Sequence, residues 1–374
     1  MAIEQCAVES VGRVSVGTAK IDRVFWTDKR VLLTGHTGFK GAWLALWLKQ
    51  LKAQVSGYAL SPPTTPNLHH LLNGASDLVE EIGDLRDESA VAAAVTRAQP
   101  EIVIHMAAQA LVRQSYVDPI ETFSTNVMGT VNLLNALRRV DSVRTVLVVT
   151  SDKVYHNDGG NRRFSESDAL GGIDPYSASK GCQDIVAHSY RQSFLESLGV
   201  QLVTARAGNV IGGGDWAEDR LLTDVEASIF HGEAVVLRNP MATRPWQHVL
   251  EPLAGYLLYV QELTKGADLP VALNFGPPDS ATVEVVVDKY LRARGVTNGW
   301  KLDDNANPHE AHTLEISPEL AQQTLKWWPH LDLDTTIQWV ADWHNAIASG
   351  IGAEIITARQ IGEYETVMSA GSTP

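Results

Sequence analysis

The sequence predicts an α/β protein: a doubly wound parallel sheet with a smaller C-terminal portion. Three observations predict it. Short apolar runs at Arg30–Thr34, Gln54–Ala59, 80–82, 102–106, 145–150 and 202–205 alternate with longer helical stretches at 42–51, 89–98, 119–139 and 176–198. The runs are continuous in their apolar character, as strands covered on both faces must be. A glycine-rich stretch from Gly35 to Gly41 stands directly between the first run and the first helix. Alternation of this kind gives right-handed crossovers with helices on both faces of one sheet.

The elements follow in order. Gly35, Gly38 and Gly41 give a GxxGxxG turn after the first strand. Glycines there permit a tight turn and close approach of backbone to a pyrophosphate at a helix N-terminus. The expected unit is therefore Rossmann-type. Pro175 suits the first turn of the 176–198 helix and Gly199 its C-terminal stop. After Ile211 the regularity fades into the Gly212-Gly213-Gly214-Asp215 turn and a polar loop over 238–248. An apolar run at 271–275 reads as a late strand that rejoins the sheet, and 318–325 and 334–348 read as amphipathic helices. The division expected is an N-terminal extension over 1–25, a dinucleotide-binding unit over 26–210 and a substrate-binding portion over 211–374.

Composition narrows the function. The 374 residues are 44% hydrophobic and 20% charged, as in an ordinary globular protein, with a net charge of −14. That sign argues against a nucleic-acid partner while leaving room for a small phosphorylated ligand held by local arginines. Two cysteines, Cys6 and Cys182, supply neither a disulfide framework nor a zinc site. No apolar stretch reaches the roughly 18 residues of a membrane span, and a cytoplasmic location is expected.

The chemistry is expected at the strand ends. Ser151-Asp152-Lys153 follows the run at 145–150, placing an acid beside a potential base where open α/β sheets put their ligands. Tyr176 and Lys180 lie one helical turn apart, and a nearby cation favours the phenolate form of a tyrosine base. Thr37, Phe39 and Lys40 complete the glycine-rich turn. Asp84 and Leu85 follow the third strand, where Asp84 can meet an adenine amino group or serve as a helix-start acid, with Asp87 the better cap. Met106, Ala107 and Ala108 end the fourth strand with residues over which a cofactor can lie, or which simply pack helix on sheet. The second strand ends in Leu60-Ser61 with neither an acid for a ribose 2′-hydroxyl nor an arginine for a 2′-phosphate.

Together, Gly35/Gly38/Gly41, Ser151 and the Tyr176-x-x-x-Lys180 spacing resemble the extended short-chain dehydrogenase/reductase family. Within it, 25–344 resembles the nucleotide-sugar 4,6-dehydratases. Most members of that group carry Thr-Asp-Glu where this chain has Ser151-Asp152-Lys153. The lysine form, with the segments 36–41, 207–216 and 244–248, is similar to members acting on a CDP-activated sugar. The resemblance implies a bound NAD and CDP-glucose as substrate. It also implies a hydride passing from sugar C4 to NAD while Tyr176 takes the hydroxyl proton and Ser151 holds the same oxygen. Asp152 then protonates the leaving C6 hydroxyl, Lys153 removes the C5 proton, and the hydride returns to C6. The expected product is CDP-4-keto-6-deoxyglucose, a precursor of deoxysugars in lipopolysaccharide O-antigen. No metal is implied. A homodimer or dimer of dimers through the 119–139 and 176–198 helices is.

For the substrate, Asn209, Arg220, Arg238, Arg244 and His248 are the candidates, because a guanidinium fork suits a diphosphate. The segment 308–312 lies where related dehydratases place another phosphate-binding arginine, and here a histidine stands instead. Trp43, Trp47, Trp327, Trp328, Trp339 and Trp343 read as core, and Trp216 and Trp246 as cleft residues. Two other readings share the fold: a UDP-sugar 4-epimerase, which usually has small residues at the Asp152 and Lys153 positions, and a non-catalytic dinucleotide sensor, which tends to lose the Tyr/Lys pair.

Overall fold

The computed structural model describes residues 20–72, 78–160, 162–297, 299–303 and 314–370. Cys6, most of the N-terminal extension and the 308–312 segment lie outside them.

Seven parallel strands form the central sheet: β1 (Arg30–Thr34), β2 (Gln54–Ala59), β3 (Val79–Ile82), β4 (Ile102–His105), β5 (Thr145–Val149), β6 (Gln201–Ala207) and β7 (Ala272–Phe275). Their order is β7-β6-β5-β4-β1-β2-β3. The sheet therefore reverses its winding between β1 and β4, the place where a crevice opens outside the strand ends. The late strand β7 pairs parallel with β6, Ala272 opposite Thr204.

Period-two alternation divides the strand side chains between two cores. Val31, Leu33, Ile102, Ile104 and Leu147 face one cluster; Leu32, Val103, Val146 and Val148 face the other. Each such aliphatic side chain contributes about 1.5–3 kcal/mol by leaving water. Crossover helices α1 (Phe39–Gln50), α2 (Glu88–Ala98), α3 (Gly129–Leu137) and α4 (Pro175–Tyr190) cover the two faces. α1 begins three residues earlier than its apolar pattern implies, because extended Gly38 is already its N-cap. Asp87 caps α2 by accepting from the Ala90 amide at 3.0 Å.

The expected 119–139 helix is not uniform. A short helix Pro119–Phe123 runs into a wide π turn at Ser124–Met128 before α3. The cause is Asn126, a buried polar residue whose Nδ2 donates to Gln109 O (3.0 Å) and Ser179 Oγ (2.8 Å), while its Oδ1 accepts from the Gln109 amide (2.8 Å). Such bulges recur at functional sites, and this one ties the segment after β4 to α4. Beyond Tyr190, α4 likewise loosens into a π turn over Arg191–Leu195, and Gly199 at φ 73° ends it.

The C-terminal portion adds α5 (Leu221–His231), α6 (Leu250–Thr264), α7 (Val283–Ala293), α8 (Leu333–Ala348) and α9 (Ala353–Ala370). Residues of α5, α7 and α8 enclose a third apolar cluster with Trp246. α6 behaves differently: it lies within the main core, with Leu253, Tyr256, Leu257 and Val260 wholly buried beside Trp43 and Trp47. α9 packs on α1 through a Trp47 Nε1 hydrogen bond to Glu365 (2.8 Å). Trp43, Trp47, Trp327 and Trp343 are buried.

Candidate active site

The C-terminal ends of β1, β4, β5 and β6 open into one cavity of about 1090 Å³. This is just above the range of roughly 300–1,000 Å³ for a site holding one small ligand, and it suits a cofactor and a substrate side by side.

Its floor is the glycine-rich turn. Gly35 has φ 78°, and a Cβ there would stand 2.7 Å from the Ala107 amide nitrogen. A Cβ on Gly41 would fall 2.0 Å from Gly35 O, so only glycine lets α1 start this close beneath the turn. Thr37 Oγ1 donates to Leu60 O (2.8 Å) and fixes the far side. Gly38 caps α1 without a side chain, which leaves the first-turn amides facing the cavity for an anion. Phe39, Lys40, Leu85, Met106, Ala107 and Ala108 line the same space. Asp84 lines it too, but its carboxylate is clasped by Arg86 at 2.6–3.0 Å and is held below the usual range chiefly by that bond. These residues fit a dinucleotide: a Cβ-free cradle for a pyrophosphate and small, flat residues at the end of β4.

At the end of β5, Ser151 turns the chain into a single 3₁₀ turn, Asp152–Val154. Its hydroxyl accepts from the Lys153 amide (3.2 Å) and donates to Asp152 Oδ1 (3.0 Å). Asp152 is 2% exposed, and its Oδ2 finds no hydrogen-bond partner among the described residues. Lys153 Nζ stands 3.7 Å from Asp152 Oδ1 and is partly exposed to the cavity.

Tyr176 enters from the first turn of α4, which Asp174 caps by accepting from the Ser177 amide (2.9 Å). Burial pushes the phenol up to about 12; a hydrogen bond with Ser151 pulls it back, Asp152 pushes it further up, and Arg220 pulls it down. Arg220 is thus one cation that lowers the Tyr176 phenol. Lys180, which its spacing casts in that part, donates to Val149 O (3.2 Å). Burial lowers its amine to about 8 against the pull of Asp184. The tyrosine, the lysine and the Ser151-Asp152-Lys153 turn nonetheless line one cavity.

Comparison with known proteins places this arrangement. The family described as GDP-mannose 4,6 dehydratase matches residues 32–340. The chain belongs to the GDP-mannose 4,6 dehydratase family. It is 47% identical over 353 residues to the CDP-glucose 4,6-dehydratase of Salmonella typhimurium, covering 92% of this chain and 98% of that protein. Among solved structures it is similar in fold to a UDP-glucose 4-epimerase of Thermotoga maritima (TM-score 0.76, 18% identity, covering 85% of this chain and 99% of that one). It is also similar to a dTDP-glucose 4,6-dehydratase of Bacillus anthracis in complex with NAD (TM-score 0.71, 20% identity, covering 84% and 96%).

In this member of the GDP-mannose 4,6 dehydratase family, four of the five expected substrate residues line the cavity: Asn209, Arg220, Arg238 and Arg244. Asn209 Oδ1 is buried with no partner among the described residues, and Arg220 lies 3.5 Å from Asp215. Arg238 is shared between Asp219 (3.0 Å) and Asp224 (3.6 Å), and buried Arg244 donates to Thr243 O (2.9 Å). His248 is the correction. The pair Gln247–His248 lies parallel to Val210–Ile211, and this register turns the imidazole into the core between Trp43 (5.8 Å) and Trp339 (5.6 Å). Burial drops its pKa to about 3, and it does not line the cavity. Trp216 and Trp246 both border the cavity.

Sequence reasoning missed Arg113, which lines the cavity and pairs with Asp219 (3.5 Å), and Tyr256, which reaches the lining residue Lys40 from α6. Arg113 stands just beyond the Ala107-Ala108 strand end, a position that could have drawn notice. Tyr256 sits in an unbroken apolar run that gives no such signal. Outside the cavity, the donor atoms of His36, His69 and Glu80 converge within 4.8 Å, and burial keeps His36 neutral, down at about 4.

Proposed function

We propose that this protein is an NAD-dependent hydro-lyase that converts CDP-D-glucose to CDP-4-dehydro-6-deoxy-D-glucose in deoxysugar and O-antigen biosynthesis. The observation that carries it is the Asp152–Lys153 pair at the end of β5, in one cavity with Tyr176 and Lys180. A second support is the 47% identity to a CDP-glucose 4,6-dehydratase.

NAD, held by the Gly35–Gly41 turn and the residues Met106, Ala107 and Ala108, would supply the hydride acceptor for C4 and the hydride donor for C6. Tyr176 takes the proton of the C4 hydroxyl, with Ser151 hydrogen-bonded to the same oxygen. The C4 ketone acidifies C5–H, because the resulting carbanion delocalises into the carbonyl. Lys153 removes that C5 proton as Asp152 delivers one to the C6 hydroxyl; the C6–O bond breaks and water leaves. A proton then returns to C5 as hydride reaches C6. The sum is loss of one water with no net redox. Asn209, Arg220, Arg238 and Arg244 hold the diphosphate and sugar, because guanidinium forks pair with phosphate oxygens.

The division of labour follows the chain: 26–210 hold the cofactor, with Asn209 at the boundary turned to the substrate, and 211–374 supply the other nucleotide-sugar contacts while lending β7 to the sheet. A homodimer is supported by Val117, Ile120, Phe123, Met128 and Ile185, large apolar side chains that are exposed around the Pro119–Phe123 helix and α4. No helix among the described residues is long and apolar enough to cross a membrane, in keeping with action in the cytoplasm.

The test is incubation with CDP-, dTDP-, UDP- and GDP-hexoses followed by mass analysis. A dehydrated CDP product is expected. Epimerised sugar without loss of water would favour the 4-epimerase reading instead, the activity named for the Thermotoga maritima neighbour.

A further inference from the structure

Three side chains that no step of the reaction uses meet behind the glycine-rich turn. His36 belongs to that turn, between Gly35 and Thr37, yet neither it nor His69 nor Glu80 lines the catalytic cavity. The His36 imidazole lies against Gly57 of β2, where a Cβ would stand 2.7 Å from its Cγ and Nδ1. Glycine at that point of β2 makes the room for the ring. Gly57 is the register partner of Glu80 on the edge strand β3, so the Glu80 side chain leaves the sheet on the face where His36 packs. His69, from the short helix Leu68–Leu71, closes the remaining side. Its ring meets that of His36 edge-on, 5.4 Å between centres, and its Nε2 stands 3.3 Å from Glu80 Oε1. One donor atom from each residue lies within 4.8 Å of the other two.

Two features set this cluster apart from a plain ion pair. The first is that His36 is wholly buried, and neither ring nitrogen has a hydrogen-bond partner among the described residues. Buried polar groups are rarely left unmatched, because water has been given up and nothing replaces it. A His69–Glu80 pair leaves His36 idle, whereas a cation shared by all three uses a nitrogen of each ring and a carboxylate oxygen. The second is spacing. Zinc binds nitrogen and oxygen at about 2.0–2.2 Å with tetrahedral angles, which sets two ligands of one ion roughly 3.3 Å apart. His69 and Glu80 already have that separation. The Glu80 side chain is 31% exposed, so its carboxylate has room to swing toward His36 and gives an ion its way in from solvent. The donor set also selects the metal: imidazole suits zinc, whereas magnesium and calcium call for oxygen ligands throughout.

We propose that His36, His69 and Glu80 form a site for one zinc ion, with water as the fourth ligand, which clips β3 and the Leu68–Leu71 helix to the glycine-rich turn. The ion takes no part in the dehydration, and the inference does not rest on that reading.

The test counts metal and needs no substrate. The full chain is stripped with EDTA, dialysed against zinc buffered by a weak chelator, and its bound zinc measured by plasma mass spectrometry. Wild type should hold about one zinc per chain, and its cobalt(II) form should show the visible bands of a four-coordinate ion. His69→Gln and Glu80→Gln each keep a hydrogen-bonding group while removing a ligand. Either should weaken zinc binding about a hundredfold or more, since loss of a mere supporting partner already costs roughly 10–100-fold. His70→Gln, an exposed neighbour outside the triad, should bind as wild type does. Zinc should raise the Tm of wild type and of His70→Gln but not of His69→Gln. His36→Asn should lose the ion as well, with circular dichroism to check its fold; the two milder variants decide the matter if it does not fold. Wild type that retains no zinc, or zinc held as tightly by His69→Gln and Glu80→Gln as by wild type, overturns the inference and leaves an ion pair beside a packed imidazole.

Discussion

Asp152 Oδ1 is the meeting point of Ser151 Oγ at 3.0 Å and Lys153 Nζ at 3.7 Å, while the other oxygen of the same carboxyl is buried without a partner among the described residues. One oxygen is thereby anchored, and in the proposed mechanism the other serves the C6 hydroxyl. Asp152→Asn should then spare C4 oxidation while slowing elimination by roughly 10²–10⁴, the usual worth of a positioned acid. Rapid-quench mass analysis would show undehydrated 4-keto sugar accumulating; equal loss of both steps would deny the separation.

Lys153 distinguishes a base from a mere partner of Asp152. Lys153→Glu, which keeps a proton acceptor, should retain more dehydration activity than Lys153→Ala, which keeps none. Comparison of kcat for the two variants decides it. Equal rates would leave Lys153 as an ion-pair partner that shapes the turn.

Gly41 tests the cradle. A methyl group there would meet Gly35 O at 2.0 Å, a backbone atom that cannot swing aside. Gly41→Ala should weaken NAD binding about tenfold or more, as overpacking of about 1–3 kcal/mol implies. NAD content of the purified variant, with circular dichroism as a check on folding, reads the effect.

The buried pair Arg206–Asp184, 2.9 Å apart with both side chains under 10% exposed, also receives Thr204 Oγ1 on Asp184 (2.7 Å) and gives Arg206 Nη1 to Tyr155 (2.8 Å). Asp184→Asn strands a buried guanidinium and should cost about 3–5 kcal/mol in urea unfolding. A loss below 1 kcal/mol, the range of exposed pairs, would mean water reaches the site.

Glu251 governs stability with pH. Its carboxyl accepts from the His330 (2.8 Å) and Leu331 (2.7 Å) amides and from Tyr364 OH (2.6 Å), yet burial outweighs these bonds and raises it to about 7. The folded protein thus binds this proton more tightly than the unfolded chain. Its stabilising share is full below the ordinary carboxylate pKa and declines as pH rises through about 7. Glu251→Gln, which mimics the protonated acid, should flatten the fall of Tm between pH 5 and 7.5. An unchanged slope would assign that fall to other groups.

What the sequence discloses is what is encoded locally. The run Arg30–Thr34 with its glycine turn, the β5 strand ending in Ser151, and Pro175 with Tyr176 each carry their signal within about ten residues. α6 is concealed because it is apolar on every side, so no 3.6-residue period marks it, and a buried strand would look the same. Its Tyr256 contacts Lys40 across 216 positions of sequence, a relation only the tertiary fold creates. His248 misled for a similar reason: a polar residue in a polar loop, drawn inward by the pairing of two short strands. The Arg86 clasp on Asp84 was within local reach, as a fork two residues from a carboxylate.

The strand order carries a consequence for synthesis of the chain. β6 is complete by Ala207, but its outer edge stays uncovered until Ala272–Phe275 arrives, and α6, which packs beneath the sheet, is itself made only shortly before. For more than sixty residues of translation the nascent sheet presents a bare edge of the kind that recruits other chains. A ribosome-bound or truncated product ending before Ala272 should therefore be the form that engages chaperones.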